Sequence, residues 1–503
     1  MKKILISVAA TLVFASCSRD TLDLTNPNQI TTETFWKTES DVKSALAGTY
    51  GLFKNVNGGL WGVRGVELSN GRGDDFFIRN DVAALYQLST FTNTPDNGVS
   101  EGVYNVCYRA IFRANQILEN VSKVGLEADK EKAYIAEAKF LRGLNYFILV
   151  TNFGDVAIRT KVPVVTDDYF VAKSPEKDVW AQVIKDFTEA AADLPVTNYG
   201  RATKGAALGM LGKAYVYTKD YVNAATILQS LTMAPFNYSL TANYEDNFKE
   251  DTENNSESLF EIQLSDVGGT NPWAGENANE TLGVTTAQEF APGEVAGWFE
   301  VSPTDKLFNE FQKEKTTTNE LDPRMYATLI WDYPGATFYN KPFTAFKLQF
   351  GFKSMFKKYQ NYTQNNELKG SKGGDYTSSI NERVLRYADI ELLLAEALTM
   401  QGRTGDAYSY LQDVRSRAKL GLLANGLGQD AMMAEIRHQR MIEFAREGQR
   451  FYDLKRWGLL QQEITNSDKV GKQYFVNGKH DYFPIPQSEI TTNAKMEQNE
   501  RWK

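Results

Sequence analysis

The stretch REGQRFYDLKRWG, residues 446–458, sets Glu447, Arg450, Asp453 and Arg456 along a few turns of potential helix. Glu443 stands one helical turn before Glu447, so the two carboxylates share a face and have the spacing of an acid–base pair. Arg440, Arg446 and Arg450 lie within a turn of them. Guanidinium neighbours keep a carboxylate ionised, which opposes the raised pKa that a general acid needs. The spacing therefore reads as an ion-paired structural helix. The same reading applies to Arg386, Asp389 and Glu396 in RYADIELLLAEA, residues 386–397.

Other reactive side chains are sparse. The only histidines are His438 and His480, and no HExxH occurs, which argues against a histidine-built zinc site. Cys107 in VYNVCYRAIF reads as a buried small hydrophobe. The acidic stretches 71–75 and 249–254 supply carboxylates without the spacing of an EF-hand loop. No cofactor is expected, a structural calcium ion being the one exception held open. The net charge of −8 comes with no basic stripe, which excludes nucleic acid as a partner.

The elements that would position these groups begin after MKKILISVAATLVFASCSRD. Two lysines, a short apolar run and small residues before Cys17 form a lipoprotein signal, residues 1–16. Cys17 is the expected lipidation site, and 17–34 the lipidated tether. Residues 35–234 are expected to form the N-terminal helical part, carrying an irregular aromatic and acidic loop at 58–97. Within it, Val106, Ala110, Arg113, Ile117 and Val121 are assigned to one helix face. Ala133, Ala136, Ala138 and Gly143 mark a close helix approach. Ser174 is read as a helix N-cap with Pro175 in the first turn. Residues 235–379 are a loop-rich insertion in which SLFEIQL reads as a strand and TAFKLQFGFKSM as another. Residues 380–503 return to helix and end in a PIP-containing tail. The pairs 101–150, 201–231, 386–420 and 430–457 look like tetratricopeptide hairpins, giving a mainly α fold with a few short strands in the insertion.

RYADIELLLAEA, IEFAREGQRFYDLKRWG (442–458) and YFPIPQSEITTNAKMEQN (482–499), with the lipoprotein start and the aromatic insertion, resemble the SusD/RagB family of outer-membrane nutrient-binding lipoproteins of Bacteroidota. The resemblance covers nearly the whole chain. It implies a lipid-anchored protein of the outer membrane, facing the exterior. It further implies capture of an oligosaccharide or polysaccharide and its delivery to a TonB-dependent, SusC-like transporter, without bond cleavage. The C-terminal motifs then belong to the scaffold.

A pyranose presents apolar C–H faces and a hydroxyl rim, so its site needs a flat aromatic with Asp, Asn or Arg beside it. Three loops carry that set. The first holds Trp61, Arg72, Asp74, Asp75 and Arg79. The second holds Asn271, Trp273 and Asn277, followed by Trp298. The third holds Trp331, Asp332, Tyr333 and Tyr339. Trp273 is the first choice, since its Gly, Asn and Pro neighbours leave it little core to enter. Trp331 has the alternative of anchoring its own loop.

Two rival readings stand beside this one. A glycoside hydrolase would use Asp74 or Asp75 with Asp332 as its two carboxylates. A helical-repeat groove would instead bind peptide or glycoprotein nutrients.

Overall fold

The computed structural model describes residues 35–55, 58–265, 283–348, 351–364, 366–368 and 378–503. Helices α1 (Glu39–Gly51), α2 (Gly98–Asn120), α3 (Ala128–Phe153), α4 (Glu176–Asp193), α5 (Lys204–Tyr217) and α6 (Tyr221–Ser230) follow in order, each packed on its predecessor. Small residues set the closest seams. A Cβ at Gly143 would stand 3.0 Å from that of Asp186, so the small residues of α3 bring α4 close. A Cβ at Gly212 would stand 2.4 Å from a methyl of Leu228, which seats α6 on α5. Buried Arg142 crosses the α3–α4 seam and donates to both Asp186 oxygens at 2.7 and 2.9 Å.

The sequence then leaves the helical layer and returns to it. α6 packs directly on α7 (Tyr387–Met400), and Gln401 Nε2 donates to the Tyr221 carbonyl at 2.8 Å. α7 pairs with α8 (Thr404–Arg417) and lies against α9 (Gln429–Glu443). α10 (Arg450–Trp457) is tied to α9 by the buried Arg440–Asp453 pair at 2.8 Å. Every residue of α7 from Tyr387 to Thr399 is buried. A helix buried on all sides sits inside a core, and here it forms the centre of the scaffold, with its carboxylates Asp389 and Glu396 paired to arginines.

The strands are short antiparallel ribbons. β1 (Phe76–Ile78) pairs β3 (Val301–Pro303), with Phe76 opposite Pro303. β2 (Ser258–Ile262) pairs β6 (Glu382–Arg386) at the root of the insertion. β4 (Leu329–Trp331) pairs β5 (Ser354–Phe356). Ile330 and Met355 face a second core with Phe338, Phe343 and Phe346. Trp331, the next residue of β4, belongs to the main core, as strand alternation requires.

Several expectations need correction. The stretch 58–97 is organised: it holds the short helices Gly65–Asn70 and Ala83–Ser89 as well as β1. Its order comes from partners far away in sequence, which no local period reveals. Among the described residues of TAFKLQFGFKSM (344–355) only Ser354 and Met355 are strand; Phe343 and Phe346, three residues apart, share one core through a 3-10 turn. α4 starts at Glu176 after Pro175, and its first N–H is satisfied by Asp155 Oδ1 at 2.8 Å instead of by Ser174. Arg113 is half-buried at the edge of α2, whose core face is Val103, Val106, Cys107, Ala110, Ile111, Ala114 and Ile117. Cys107 is a buried free thiol, and burial pushes its pKa up.

The tail clamps the scaffold. Asn499 Nδ2 donates to the Phe153 carbonyl at 2.6 Å, closing the end of α3. Ile485 is fully buried, and its backbone exchanges two hydrogen bonds with the Gln498 side chain at 2.9 Å.

Candidate functional site

The motif carboxylates are structural. Glu443 is buried among Arg386 at 3.0 Å, Arg417 at 2.5 Å and Arg324 at 3.1 Å. Burial opposes its ionisation, but Arg417, Arg386 and Arg324 overcome that and hold its pKa well below the usual range. Glu447 lies between Arg386 and Lys358, at 2.8 and 2.6 Å. On α7, Asp389 is held by Lys213 at 2.8 Å and Arg440 at 2.7 Å. Glu396 accepts from Arg456 and from Trp457 Nε1. Asp389 and Glu443, fully buried and held low by their cationic partners, are not placed to act as general acids.

The early loop is also turned inward. Asp74 is fully buried and accepts from Arg450 at 2.7 and 2.9 Å, with Lys306 at 2.5 Å. Asp75 is buried beside it; burial, then the Asp74 charge, pushes its pKa up to about 7. Arg72 is buried with its guanidinium 3.9 Å from the Phe451 ring centroid and 4.0 Å from that of Phe483. The exposure expected of Asp75 and Arg72 is therefore not found. Arg72, on those rings, and Asp74, on Arg450, lock residues 71–75 against the C-terminal part.

Two places do combine open aromatic surface with charge. The first centres on Trp298, half-buried on the turn after Gly293–Val295. Gly297 is required there, since a Cβ would strike the Ala291 carbonyl oxygen at 2.0 Å. Arg64, in a left-handed conformation at φ 56°, brings its guanidinium 5.1 Å from the Trp298 ring centroid. A non-glycine residue at positive φ stores strain, a feature common at ligand sites. The same guanidinium grips Glu300 at 2.6 and 2.8 Å, and the Arg64 N–H donates to Glu289 at 2.6 Å. Beneath lies Glu67, whose pKa burial and the Glu300 and Glu289 charges push far up. Arg79 flanks this place: its N–H donates to the Glu300 carbonyl at 2.7 Å and its side chain pairs with Asp81.

The second is a shelf of rings. Tyr333 opens a turn in which Ala336 N–H returns to its carbonyl at 2.9 Å, with Pro334 and Gly335 (φ 81°) at the centre. Pro then Gly suits a type II turn. Trp331 lies 4.7 Å from Tyr333 and 5.0 Å from Tyr326, and Tyr326 lies 5.4 Å from Tyr333. Trp331 itself is only 7% exposed, so it supports the shelf while Tyr326 and Tyr333 face outward. Glu245 accepts from Tyr362 at 2.8 Å, and Lys357 lies 4.7 Å over the Tyr362 ring.

Trp61 is half-buried, edge-on to Phe53 at 5.6 Å, and borders a narrow cleft with Tyr217 and Tyr452. Tyr339 is buried, with its hydroxyl on Gln360. Cys17, Asn271, Trp273 and Asn277 lie outside the described residues. Sequence reasoning missed Arg64, Glu67, Glu289, Glu300, Tyr326 and Tyr362. Tyr326 had a usable signal, because Asp322–Pro323 starts a helix and places it one turn in. The glutamates had none, being assembled from three separate segments. Among the described residues no group of three or more His, Cys, Asp or Glu is arranged to hold a metal ion. Asp74, Glu250 and Glu253 of the two acidic stretches are engaged within the chain.

Comparison with known proteins now bears on this geometry. The family model described as SusD family matches residues 256–502, and one described as "Starch-binding associating with outer membrane" matches residues 20–216. A SusD superfamily protein from Bacteroides vulgatus is 36% identical, superposes with a TM-score of 0.84, and is matched over 93% of this chain and 100% of its own. The chain belongs to the SusD family. SusD-like protein P2 from Formosa agariphila is 27% identical over 492 residues, 93% of each chain. A laminarin binding SusD-like protein at 24% identity shares the fold, with a TM-score of 0.76 over 92% of this chain and all of its own. In this SusD family member the three C-terminal motifs form the buried ion network and the tail clamp. Among the described residues no helix is long and apolar enough to cross a membrane.

Proposed function

We propose that this SusD family protein captures an oligosaccharide or polysaccharide at the outer membrane and passes it, uncut, to a TonB-dependent SusC-like transporter. The observation that carries the reading is the Trp298 ring, half-open on the insertion, with the Arg64 guanidinium 5.1 Å from its centroid. An indole supplies the apolar plane for a sugar face, and the charged groups around it supply partners for hydroxyls. Arg79 and Asp81 extend that rim, and the insertion 235–379 is the region that sets ligand choice. Trp331 and Tyr333 with Tyr326 form a further aromatic surface. Cys17 carries lipid, and 18–34 is the tether to the membrane.

Two considerations support capture over cleavage. Asp74 is engaged by Arg450 and Lys306 inside the fold, so it cannot serve as half of an exposed carboxylate pair. Family relatives include a laminarin binding SusD-like protein and a SusD-like carbohydrate binding protein from Bacteroides fragilis. The test is binding with product analysis, using the chain from Ser18 onward and a panel of polysaccharides. Binding without any shortening of the glycan is the expected result. Released oligosaccharides would overturn the non-catalytic reading, and binding confined to peptides would overturn the glycan reading.

A further inference from the structure

One side of α2 carries two parallel stripes that the site above does not use, running from buried Tyr104 to exposed Phe112. Tyr104, Tyr108 and Phe112 recur every fourth residue, and so do Asn105, Arg109 and Arg113 beside them. Side chains four apart stack along one side of a helix. Together with Gln116, Arg159 and Glu489 they line an open groove of about 650 Å³. Phe112 is 38% exposed on its wall. Tyr108 donates its hydroxyl to the Ala157 carbonyl at 2.7 Å, and the Arg159 guanidinium lies 5.2 Å from its ring centroid.

The charge of this groove runs against that of the protein. The chain carries a net −8, yet Arg109, Arg113 and Arg159 face the groove with Glu489 as the one carboxylate among the described residues that line it. Glu489 is already engaged by Arg159 at 3.3 Å. Arg109 and Arg113 are like charges one turn apart, an unfavourable spacing on a helix. Burial lowers the pKa of Arg113, and the Arg109 charge lowers it further. Guanidinium pairs of this kind match the planar oxygens of carboxylates and the oxygens of sulfates. An exposed phenyl ring beside them offers a sugar face its apolar plane.

We propose that this groove is a second glycan site, separate from Trp298, that takes an acidic oligosaccharide: its carboxylate or sulfate on Arg109 and Arg113, one sugar face on Phe112. The inference rests on the glycan reading above for the ligand's class alone. The probes are an oligogalacturonate, a sulfated oligosaccharide and a neutral oligosaccharide of equal length, each titrated into the chain from Ser18 onward. The expected result is binding of one acidic probe, weakening steeply with added salt. Arg109→Gln with Arg113→Gln should weaken it at least tenfold, and Phe112→Ala, at an exposed position, should weaken it severalfold at unchanged melting temperature. Trp298→Ala should leave it unchanged. The uronate and sulfate arms tell which anion the groove takes. Absence of binding by both acidic probes, undiminished binding in the double variant, or equal binding of polyglutamate would overturn the inference. Neutral glycan held through Trp298 with no acidic binding would sink the groove and leave the proposed function standing. Acidic binding lost in the groove variants, with no glycan depending on Trp298, would do the reverse.

Discussion

Arg450 and Asp74 stand 376 positions apart and meet as a buried two-point ion pair, Nε to Oδ1 at 2.7 Å and Nη2 to Oδ2 at 2.9 Å. One partner comes from the early loop and the other from the first residue of α10. The pair fastens the segment leading into β1 to the C-terminal scaffold, and so fixes where Arg79 and its neighbours emerge.

Removing one partner leaves the other charge buried. Arg450→Gln is expected to cost about 3–5 kcal/mol, the usual penalty for breaking a buried pair. Thermal unfolding should show a large drop in Tm. Replacing both residues with leucine should restore part of it. An unchanged Tm in Arg450→Gln would mean that Lys306 alone satisfies Asp74.

Trp298 and Trp331 of the insertion should separate cleanly. Trp331 is 7% exposed and packs on Phe308, Tyr326 and Tyr333, so Trp331→Ala should destabilise by about 3–5 kcal/mol. Trp298→Ala should cost far less stability but at least tenfold in glycan affinity. Tm and affinity measured on the same samples check both outcomes.

Acidity acts in two opposite directions. Burial lifts Asp75 and Glu289 to about 7 in the fold, from ordinary values of 3.8 and 4.5. A raised carboxyl pKa means that the folded state holds the proton more tightly. The stability from these two groups is therefore full below about pH 4 and is lost as pH rises through about 7. Asp74 behaves oppositely: burial raises its pKa, but Arg450 and Lys306 prevail and hold it at about 2. Its contribution is present above pH 3.8 and is lost as pH falls through about 2. Asp75→Asn should flatten the alkaline limb of a Tm-against-pH curve without weakening glycan binding. A loss of binding in Asp75→Asn would return Asp75 to the site.

Glu391 gives an independent check on the scaffold. It is buried on α7, and burial, then Asp413 and Glu257, lifts its pKa to about 9. It is thus neutral at pH 7, and Glu391→Gln should shift Tm by less than about 1 kcal/mol of stability, a neutral-for-neutral exchange. Glu396→Gln, which removes a paired charge, should cost more in the same unfolding assay.

The scaffold was legible because its signals are local. RYADIELLLAEA reads as the first helix of a hairpin, and arginines a turn from Glu443 mark the later motif as ion-paired. Glycine at 143 and 212 marks helix contacts, although not which helix is the partner. The candidate site was less legible. Asp74, Asp75 and Arg79 look alike in a polar loop, yet the first two are buried and the third is not. That difference depends on Arg450 and Glu300, which arrive from elsewhere in the chain. Arg64 and Glu289 become neighbours of Trp298 only when three segments fold together, and nothing in their local sequence announces it.

The most direct measurement is retardation of the chain from Ser18 onward, beside its Trp298→Ala variant, in native gels cast with plant, microbial and host polysaccharides. The expected result is slowed migration in at least one glycan, unshortened after incubation, with normal migration of the variant at an unchanged Tm. Free migration of the unaltered chain in every glycan, or equal retardation of Trp298→Ala, would contradict a capture site built on that tryptophan.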